Sequence, residues 1–139
     1  MKLRFKDNPN RTMYIYCRVS TSGQEKGGSS LDVQKERGIQ FCKSIGFEPC
    51  VITEQGSGMK PYLEVRPKFS DLMDGIQDGV VKNVWINDEK RLTRYDMDQQ
   101  LIHVEMKKNG VSLYVGTSKT PKEWDWVTDL VDTIITKVN

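Results

Sequence analysis

Segments with the patterns of strands and helices alternate along this chain, and this alternation limits its possible folds more than any other feature. Runs of β-branched and aromatic residues predict strands, and apolar residues at helical spacing predict helices between them. The predicted strands cover residues 13–19, 50–53, 80–86 and 111–115, and the predicted helices cover residues 31–45, 67–75 and 94–109. Strands and helices that alternate with short connections are typical of a parallel sheet. We therefore predict an α/β fold with a mainly parallel sheet of four to five strands flanked by helices.

The last segment has the pattern of a further amphipathic helix. Thr120 and Glu123 form a capping box with Pro121 at the first helical position, and apolar residues then recur at helical spacing over residues 124–138. The sequence stops at Asn139 without a glycine or proline that would end the helix. Two interpretations stay open: a helix truncated at Asn139, and a terminal helix that docks on its own sheet.

The composition is that of one ordinary domain. The 139 residues suffice for a single core, and no stretch is apolar enough to span a membrane or to serve as a secretory signal. Three cysteines without metal-like spacing, Cys17, Cys42 and Cys50, predict free thiols in a reducing cytoplasm. The net charge is only +2. Binding to a polyanion would therefore need locally focused charge or a further domain.

Polar residues follow the first three predicted strands. Ser20 follows the first strand, Glu54 and Ser57 follow the second, and residues 88–94 follow the third. Parallel sheets gather functional groups at the carboxyl ends of their strands. We therefore expect three segments of the chain to converge on one candidate site.

Ser20 is the candidate nucleophile at this edge. A serine hydroxyl is a poor nucleophile until a base or nearby positive charge favours its alkoxide. The one histidine, His103, falls inside a predicted helix away from the strand ends. A hydrolase triad of serine, histidine and acid is therefore not expected.

Arginine is the residue type that the chain offers instead of histidine. The candidates are Arg18, Arg66, Arg91 and Arg94. A guanidinium is permanently charged, binds two phosphate oxygens at once and stabilises charge that builds up in a transition state. The group as a whole favours a phosphodiester substrate, although each arginine taken singly is better explained as a solvated surface residue.

Carboxylates give a competing interpretation as a Mg²⁺ site. Asp88, Glu89 and Glu54 carry the oxygen ligands that this cation prefers. However, the chain has neither a paired-carboxylate motif nor a phosphate-binding glycine loop of the Walker type. We therefore expect neither a metal nor another cofactor.

Five short motifs lie in order between about Tyr14 and Thr117. They are Tyr16-Cys17-Arg18-Val19-Ser20-Thr21, Ser30-Leu31-Asp32-Val33-Gln34, Glu54-x-x-Ser57-Gly58, Arg66-Pro67-x-Phe69 and Arg91-Leu92-Thr93-Arg94. Together they resemble, in the same order, the motifs of the serine recombinase family, which includes resolvases, invertases and serine integrases. Each motif alone is weak, but five in order are specific.

The resemblance implies an enzyme that cuts and rejoins double-stranded DNA. Ser20 would attack the backbone and form a 5′-phosphoserine link, which conserves the bond energy for religation without a metal or a nucleotide. The residues that bind and activate the phosphate would be Arg18, Arg66, Arg91 and Arg94, and the supporting polar residues would be Gln34, Ser57, Glu54 and Asp88.

The resemblance also suggests a division of the chain. We assign residues 1–12 to a flexible arm, residues 13–118 to a catalytic domain and residues 119–139 to the start of a long oligomerisation helix. The family's DNA-binding domains follow that helix and are absent from this chain. The full-length protein is expected to form homodimers and a synaptic homotetramer on DNA, in the cytoplasm of a bacterium or encoded by a phage or mobile element.

One position departs from the family's pattern. Lys90 stands where many members carry an aspartate before the first arginine of the Arg-Leu-x-Arg motif, and this leaves the general acid open. Two alternatives remain: a catalytically impaired recombinase-like module that only assembles or binds DNA, and an unrelated flavodoxin-like or receiver-like regulatory domain. The second would place an acidic pocket or a cofactor loop at the strand ends, where this chain has arginines.

Overall fold

Strands and helices alternate in the computed structural model, which describes residues 3–20, 30–57, 65–92 and 96–123. In order, these residues form β1 (Thr12–Val19), α1 (Leu31–Ser44), β2 (Glu48–Gln55), α2 (Pro67–Gln77), β3 (Asn83–Ile86), a single 3-10 turn (Glu89–Arg91), α3 (Asp96–Lys108) and β4 (Ser112–Val115). Along the described chain, none of the helices is both long and apolar enough to cross a membrane.

The strands form one sheet in the order β2-β1-β3-β4, and every neighbouring pair is parallel. β1 pairs with β2 along its whole length, from Thr12 opposite Glu48 to Val19 opposite Gln55. The predicted α/β class and parallel sheet are therefore confirmed, with four strands and three helices in the described residues.

The two faces of the sheet are covered by different helices. Side chains alternate along β1, so Met13, Ile15 and Cys17 pack with α1, whereas Tyr14 and Tyr16 pack with α2 and α3. The next residue facing the side of Tyr14 and Tyr16 is Arg18. This alternation brings a buried arginine to the end of an otherwise apolar strand.

α1 lies unusually close to the sheet at Gly38. A Cβ at this position would lie 2.4 Å from Cγ2 of Ile15 and 2.8 Å from Cε3 of Trp85. Real side chains do not approach so closely, so the absence of a side chain sets the distance between α1 and the sheet.

Two strands differ by two or more residues at an end from the sequence-based prediction, and the other two differ by one residue. β2 begins two residues earlier and ends two residues later than residues 50–53, because its whole length pairs with β1. β3 is shorter than residues 80–86, since the amides of Val80 and Val81 donate to the carbonyl of Gly75, at 3.0 and 3.2 Å, and close the end of α2. The apolar run over residues 80–86 therefore contains both the turn that closes α2 and the strand β3.

The chain before β1 lies against the domain. The amide of Leu3 donates to Oδ2 of Asp71 (3.1 Å), that of Lys6 donates to the Tyr14 hydroxyl (2.9 Å), and Phe5 meets the Tyr14 ring edge-on. We predicted a flexible arm over residues 1–12, but Leu3 and Phe5 pack against the core, and β1 already begins at Thr12. The domain boundaries stay a prediction, because residues 124–139, which carry the amphipathic pattern, lie outside the described residues.

The three cysteines are free thiols. Burial raises the pKa of Cys17 to about 12 and that of Cys42 to about 11, so both thiols stay protonated near neutral pH.

Candidate active site

The carboxyl ends of β1 and β2 bring Ser20 and Ser57 to neighbouring positions. The amide of Gly56 donates to the carbonyl of Val19 at 2.9 Å, which extends the pairing of the two strands by one step. Ser20 follows Val19 and Ser57 follows Gly56, and both serines are half-buried. The predicted meeting of these two segments at one edge is therefore observed.

Arg18 ties three segments together at this edge. Its guanidinium is fully buried and donates to three main-chain carbonyls: Nε to Arg91 (3.1 Å), Nη1 to Gly56 (2.7 Å) and Nη2 to Lys90 (2.6 Å). The contacts hold the end of β1 against the end of β2 and against the turn after β3. Carbonyl groups are dipoles without net charge, so they satisfy these donors without neutralising the cation.

Arg91 is held from two sides and is also buried. Its Nη1 donates to the carbonyl of Arg18 (2.6 Å), and its Nε contacts Oδ1 of Asp88 (3.2 Å). Asp88 precedes the 3-10 turn and accepts the amide of Lys90 with the same oxygen (3.1 Å). Asp88 therefore shapes the turn and orients Arg91.

Gln34 of α1 reaches the main chain of Arg18. Its side chain accepts from the Arg18 amide and donates to the Arg18 carbonyl, both at 3.1 Å, and the side chain is fully buried. The first helix is thereby joined to the strand that leads to Ser20.

Arg66 lies just before α2 and completes the cluster of buried arginines. Its Nη1 donates to the carbonyls of Leu92 and of Arg91, and its guanidinium lies 4.9 Å from the centre of the Phe69 ring. Nε and Nη2 of Arg66 are buried and have no hydrogen-bond partner among the described residues. Gly56 makes room for this side chain, because a Cβ there would lie 2.7 Å from Cγ of Arg66.

Glu54 caps α2, the helix that begins directly after Arg66. Its Oε2 accepts the amide of Lys68 (2.8 Å), and its Oε1 accepts the amide of Phe69 (3.1 Å) and the hydroxyl of Tyr16 (2.7 Å). Arg66 makes no side-chain cap itself, so the carboxylate of a neighbouring strand satisfies the first amides of α2 and favours its positive end.

Tyr16 is a part of the site that sequence reasoning missed. Burial, with the Glu54 carboxylate nearby, raises the pKa of Tyr16 well above its usual value, so the hydroxyl remains a donor. The sequence did carry a signal for it: Tyr16 and Arg18 are two residues apart on β1, and this spacing places both side chains on one face of the sheet.

The predicted residues other than Ser20 and Ser57 fall into three groups. Arg18, Arg66 and Arg91 come together, since Nε of Arg18 and Nη1 of Arg66 share the carbonyl of Arg91. The supporting residues Gln34, Glu54 and Asp88 each contact this cluster or the helix beside it. Arg94 lies outside the described residues.

Other candidates considered in the sequence lie elsewhere. In the part of the chain that the structure describes, no three acidic, histidine or cysteine side chains group as metal ligands. Glu89 accepts from Nζ of Lys122. His103 is buried on α3, where burial lowers its pKa.

Comparison with known proteins decides the family. The family described as "Resolvase, N terminal domain" matches residues 13–135. The chain belongs to the serine recombinase family. A relative from Bacillus subtilis (strain 168), named "Putative DNA recombinase", is 34% identical to this recombinase domain over 99 residues, which are 71% of this chain. Those residues are 19% of the relative, so the chain spans about a fifth of the length of the curated relative it matches.

Solved structures of recombinases share the fold. The N-terminal catalytic domain of TP901-1 integrase is 25% identical with a TM-score of 0.64, over 92% of this chain and 93% of that one. A resolvase family site-specific recombinase from Streptococcus pneumoniae is also 25% identical with a TM-score of 0.64, over 91% and 87% of the two chains. The predicted family and its recombinase class are confirmed, and membership implies binding to DNA.

Proposed function

We propose that this recombinase domain cleaves and rejoins double-stranded DNA with Ser20 as the nucleophile. The Ser20 oxygen forms a bond to the phosphorus, the bond from phosphorus to the 3′ oxygen breaks, and the leaving oxygen takes up a proton. The product is a 5′-phosphoserine link with a free 3′-hydroxyl. Attack by a 3′-hydroxyl on this link reverses the steps, rejoins the strand and returns the proton to Ser20.

One observation carries the proposal: the unpartnered edge of Arg66. A buried donor without a partner costs about 1–3 kcal/mol, and two nitrogens of Arg66, Nε and Nη2, have no partner among the described residues. These two nitrogens form one edge of the guanidinium plane, which can hold two phosphate oxygens through parallel hydrogen bonds. An incoming phosphodiester would satisfy both donors.

The neighbouring arginines add charge to this edge. Arg18 and Arg91 are buried beside Arg66. Arg18 donates to main-chain carbonyls, and Arg91 donates to one carbonyl and to the Asp88 carboxylate. A concentrated positive field favours the serine alkoxide and the charge of the pentacovalent phosphorus. Arg94 is assigned the same role from its motif, and Ser57 is assigned a polar contact to the substrate.

The supporting residues act through the arginines. Gln34 fixes the main chain of Arg18, Asp88 orients Arg91, and Glu54 anchors the helix that begins after Arg66. We assign these three as positioning residues, because their described contacts are to protein groups.

We further propose that the full-length protein acts as a homodimer that pairs into a synaptic homotetramer on DNA in the cytoplasm. The amphipathic pattern of residues 124–138 supports this, because a helix with an apolar stripe buries that stripe against a partner. No metal or nucleotide has a part in the proposed chemistry, since the covalent link preserves the bond energy.

The test is capture of a covalent adduct. The full-length protein is incubated with its recombination site under conditions that trap cleaved DNA, and the protein–DNA adduct is measured by denaturing electrophoresis. The adduct is expected with the wild type and with Ser118→Ala, which alters an exposed serine, but not with Ser20→Ala. DNA binding without any adduct in the wild type would show an assembly or binding module instead of an enzyme.

A further inference from the structure

An electropositive cavity lies on the α1 side of the sheet. It has a volume of about 680 Å³ and lies between α1 and the ends of β3 and β4. We call it the α1 cavity, and its walls include Arg37, Phe41, Trp85, Asn87, Thr117 and Lys119. Phe41 and Trp85 are nearly fully buried and form its floor, whereas Arg37 and Lys119 are exposed at its rim.

Charge separates the α1 cavity from three other cavities of the described residues. Its lining contains two cationic side chains and no carboxylate. The other three each include at least one acidic side chain: Glu89 in one, Asp32 and Glu36 in another, and Glu54 in the third. In a domain of almost balanced charge, this lining selects an anion.

Hydrogen bonds connect the rim of the α1 cavity to the proposed active site. Nη1 of Arg37 donates to Oδ1 of Asn87 (3.3 Å), and Nδ2 of Asn87 donates to Oδ2 of Asp88 (3.0 Å). The other oxygen of Asp88 holds Nε of Arg91 at 3.2 Å. Three hydrogen bonds therefore link Arg37 at the rim to Arg91 of the cluster of buried arginines.

We propose that the α1 cavity is a second phosphate site, filled by a backbone phosphate of the DNA that lies across the catalytic cluster. This inference rests on the proposed function. A single strand of a duplex presents one phosphate for roughly every 3.4 Å along the axis, so one bound strand offers phosphates to both places. Arg37 and Lys119 supply the charge, and Thr117 and Asn87 supply neutral polar groups. Contacts of this kind set the register of DNA without reading its sequence.

The first test measures the salt dependence of DNA binding. The 139-residue chain is titrated with a short duplex at several low salt concentrations, as wild type, as Arg37→Gln with Lys119→Gln, and as the control Lys35→Gln. Lys35 is an exposed cation of the same helix and lines a cavity that also contains carboxylates. Removal of one phosphate contact is expected to lower the slope of log K against log salt by about one and to weaken binding roughly tenfold. Equal slopes for the double variant and the control, or no duplex binding by the wild type, would overturn the proposal.

A second measurement separates DNA from a free anion as the occupant. Amide and indole signals of the α1 cavity are followed by NMR during titration with the duplex and with inorganic phosphate. Shifts at Trp85 and Thr117 with the duplex, absent in the double variant, support the proposal. Shifts with inorganic phosphate alone would identify a site for a small anion and contradict a DNA site.

The adduct assay keeps this proposal distinct from the proposed function. A Ser20-dependent adduct with unchanged salt slopes leaves the recombinase activity standing and removes the second phosphate site. A reduced slope in the double variant without any adduct has the opposite meaning: the phosphate site stands, and cleavage through Ser20 is wrong.

Discussion

The side-chain amide of Gln34 forms two hydrogen bonds with the main chain of Arg18, as a neighbouring strand would. The Gln34 side chain accepts the Arg18 amide and donates to the Arg18 carbonyl, each at 3.1 Å. The helix that follows Ser20 in sequence is thus fastened to the strand that precedes Ser20.

Gln34→Ala is expected to destabilise the domain by about 2–3 kcal/mol, because a buried main-chain donor and part of the bonding of a carbonyl lose their partners. Urea unfolding followed by tryptophan fluorescence measures the loss. Gln40→Ala is the matched control, since Gln40 is an exposed residue of the same helix, and it should change stability by less than about 0.5 kcal/mol. Equal effects of the two substitutions would contradict the structural role of Gln34.

Glu54→Gln should lower the free energy of unfolding by about 1–2 kcal/mol, since a charged cap of α2 becomes neutral. The carboxylate accepts two amides of the helix and the Tyr16 hydroxyl. The control is Glu48→Gln, an exposed carboxylate at the start of the same strand. A double-mutant cycle with Tyr16→Phe should show coupling between the two positions, and strict additivity would count against the hydrogen bond between them.

Gly38→Ala is expected to destabilise the domain by about 1–3 kcal/mol, as overpacking does in other cores. Alanine is the better helix former by about 1 kcal/mol, but its Cβ would lie 2.4 Å from Cγ2 of Ile15. Thermal unfolding compares it with Glu36→Ala, an exposed site on the same helix where the substitution creates no clash. A stabilised Gly38→Ala variant would mean that α1 can move away from the sheet at little cost.

The stability of the domain should fall as the pH drops below about 6.5, in part because of His103. Burial lowers the pKa of His103 in the folded state, so the unfolded chain binds a proton first as the pH falls. The contribution of His103 to stability is therefore fully present above its pKa in the unfolded chain. It is lost as the pH falls towards its lower pKa in the folded domain. The check is urea unfolding between pH 5 and 8 for wild type and His103→Gln. The free energy of unfolding of the wild type, relative to that of His103→Gln, should fall as the pH falls. A difference that stays constant over this pH range would refute the assignment.

Arg66→Lys should reduce adduct formation by on the order of 100-fold, a loss typical of removing one preorganised donor to a transition state. Lysine keeps the charge but cannot present the paired Nε and Nη2 edge. Arg11→Lys, at an exposed position, should leave the adduct unchanged. A fully active Arg66→Lys enzyme would show that charge alone is needed at this position.

The sequence allowed prediction of the fold and of the edge on which the site lies, for definite reasons. The β-branched run that ends at Val19 and the helical spacing after Leu31 each carry a period that local geometry enforces. No such sequence pattern marks the groups to which the buried arginines donate hydrogen bonds. Arg18 binds the carbonyls of Gly56, Lys90 and Arg91, and a main-chain acceptor leaves no trace in residue type. For the same reason Glu54, expected to be a polar supporting residue, gave no sign that it caps a helix.

The anchoring of Arg18 through main-chain oxygens bears on how the site can vary in evolution. Nη2 of Arg18 is bound by the carbonyl of Lys90, not by its side chain. The Lys90 side chain itself is exposed, so this contact tolerates exchange of an acidic for a basic residue. A change of length between β3 and Arg91 is a different matter, because it would carry the carbonyl away from the guanidinium. The position of Arg18 at this turn therefore depends on the path of the backbone more than on the side chain of residue 90.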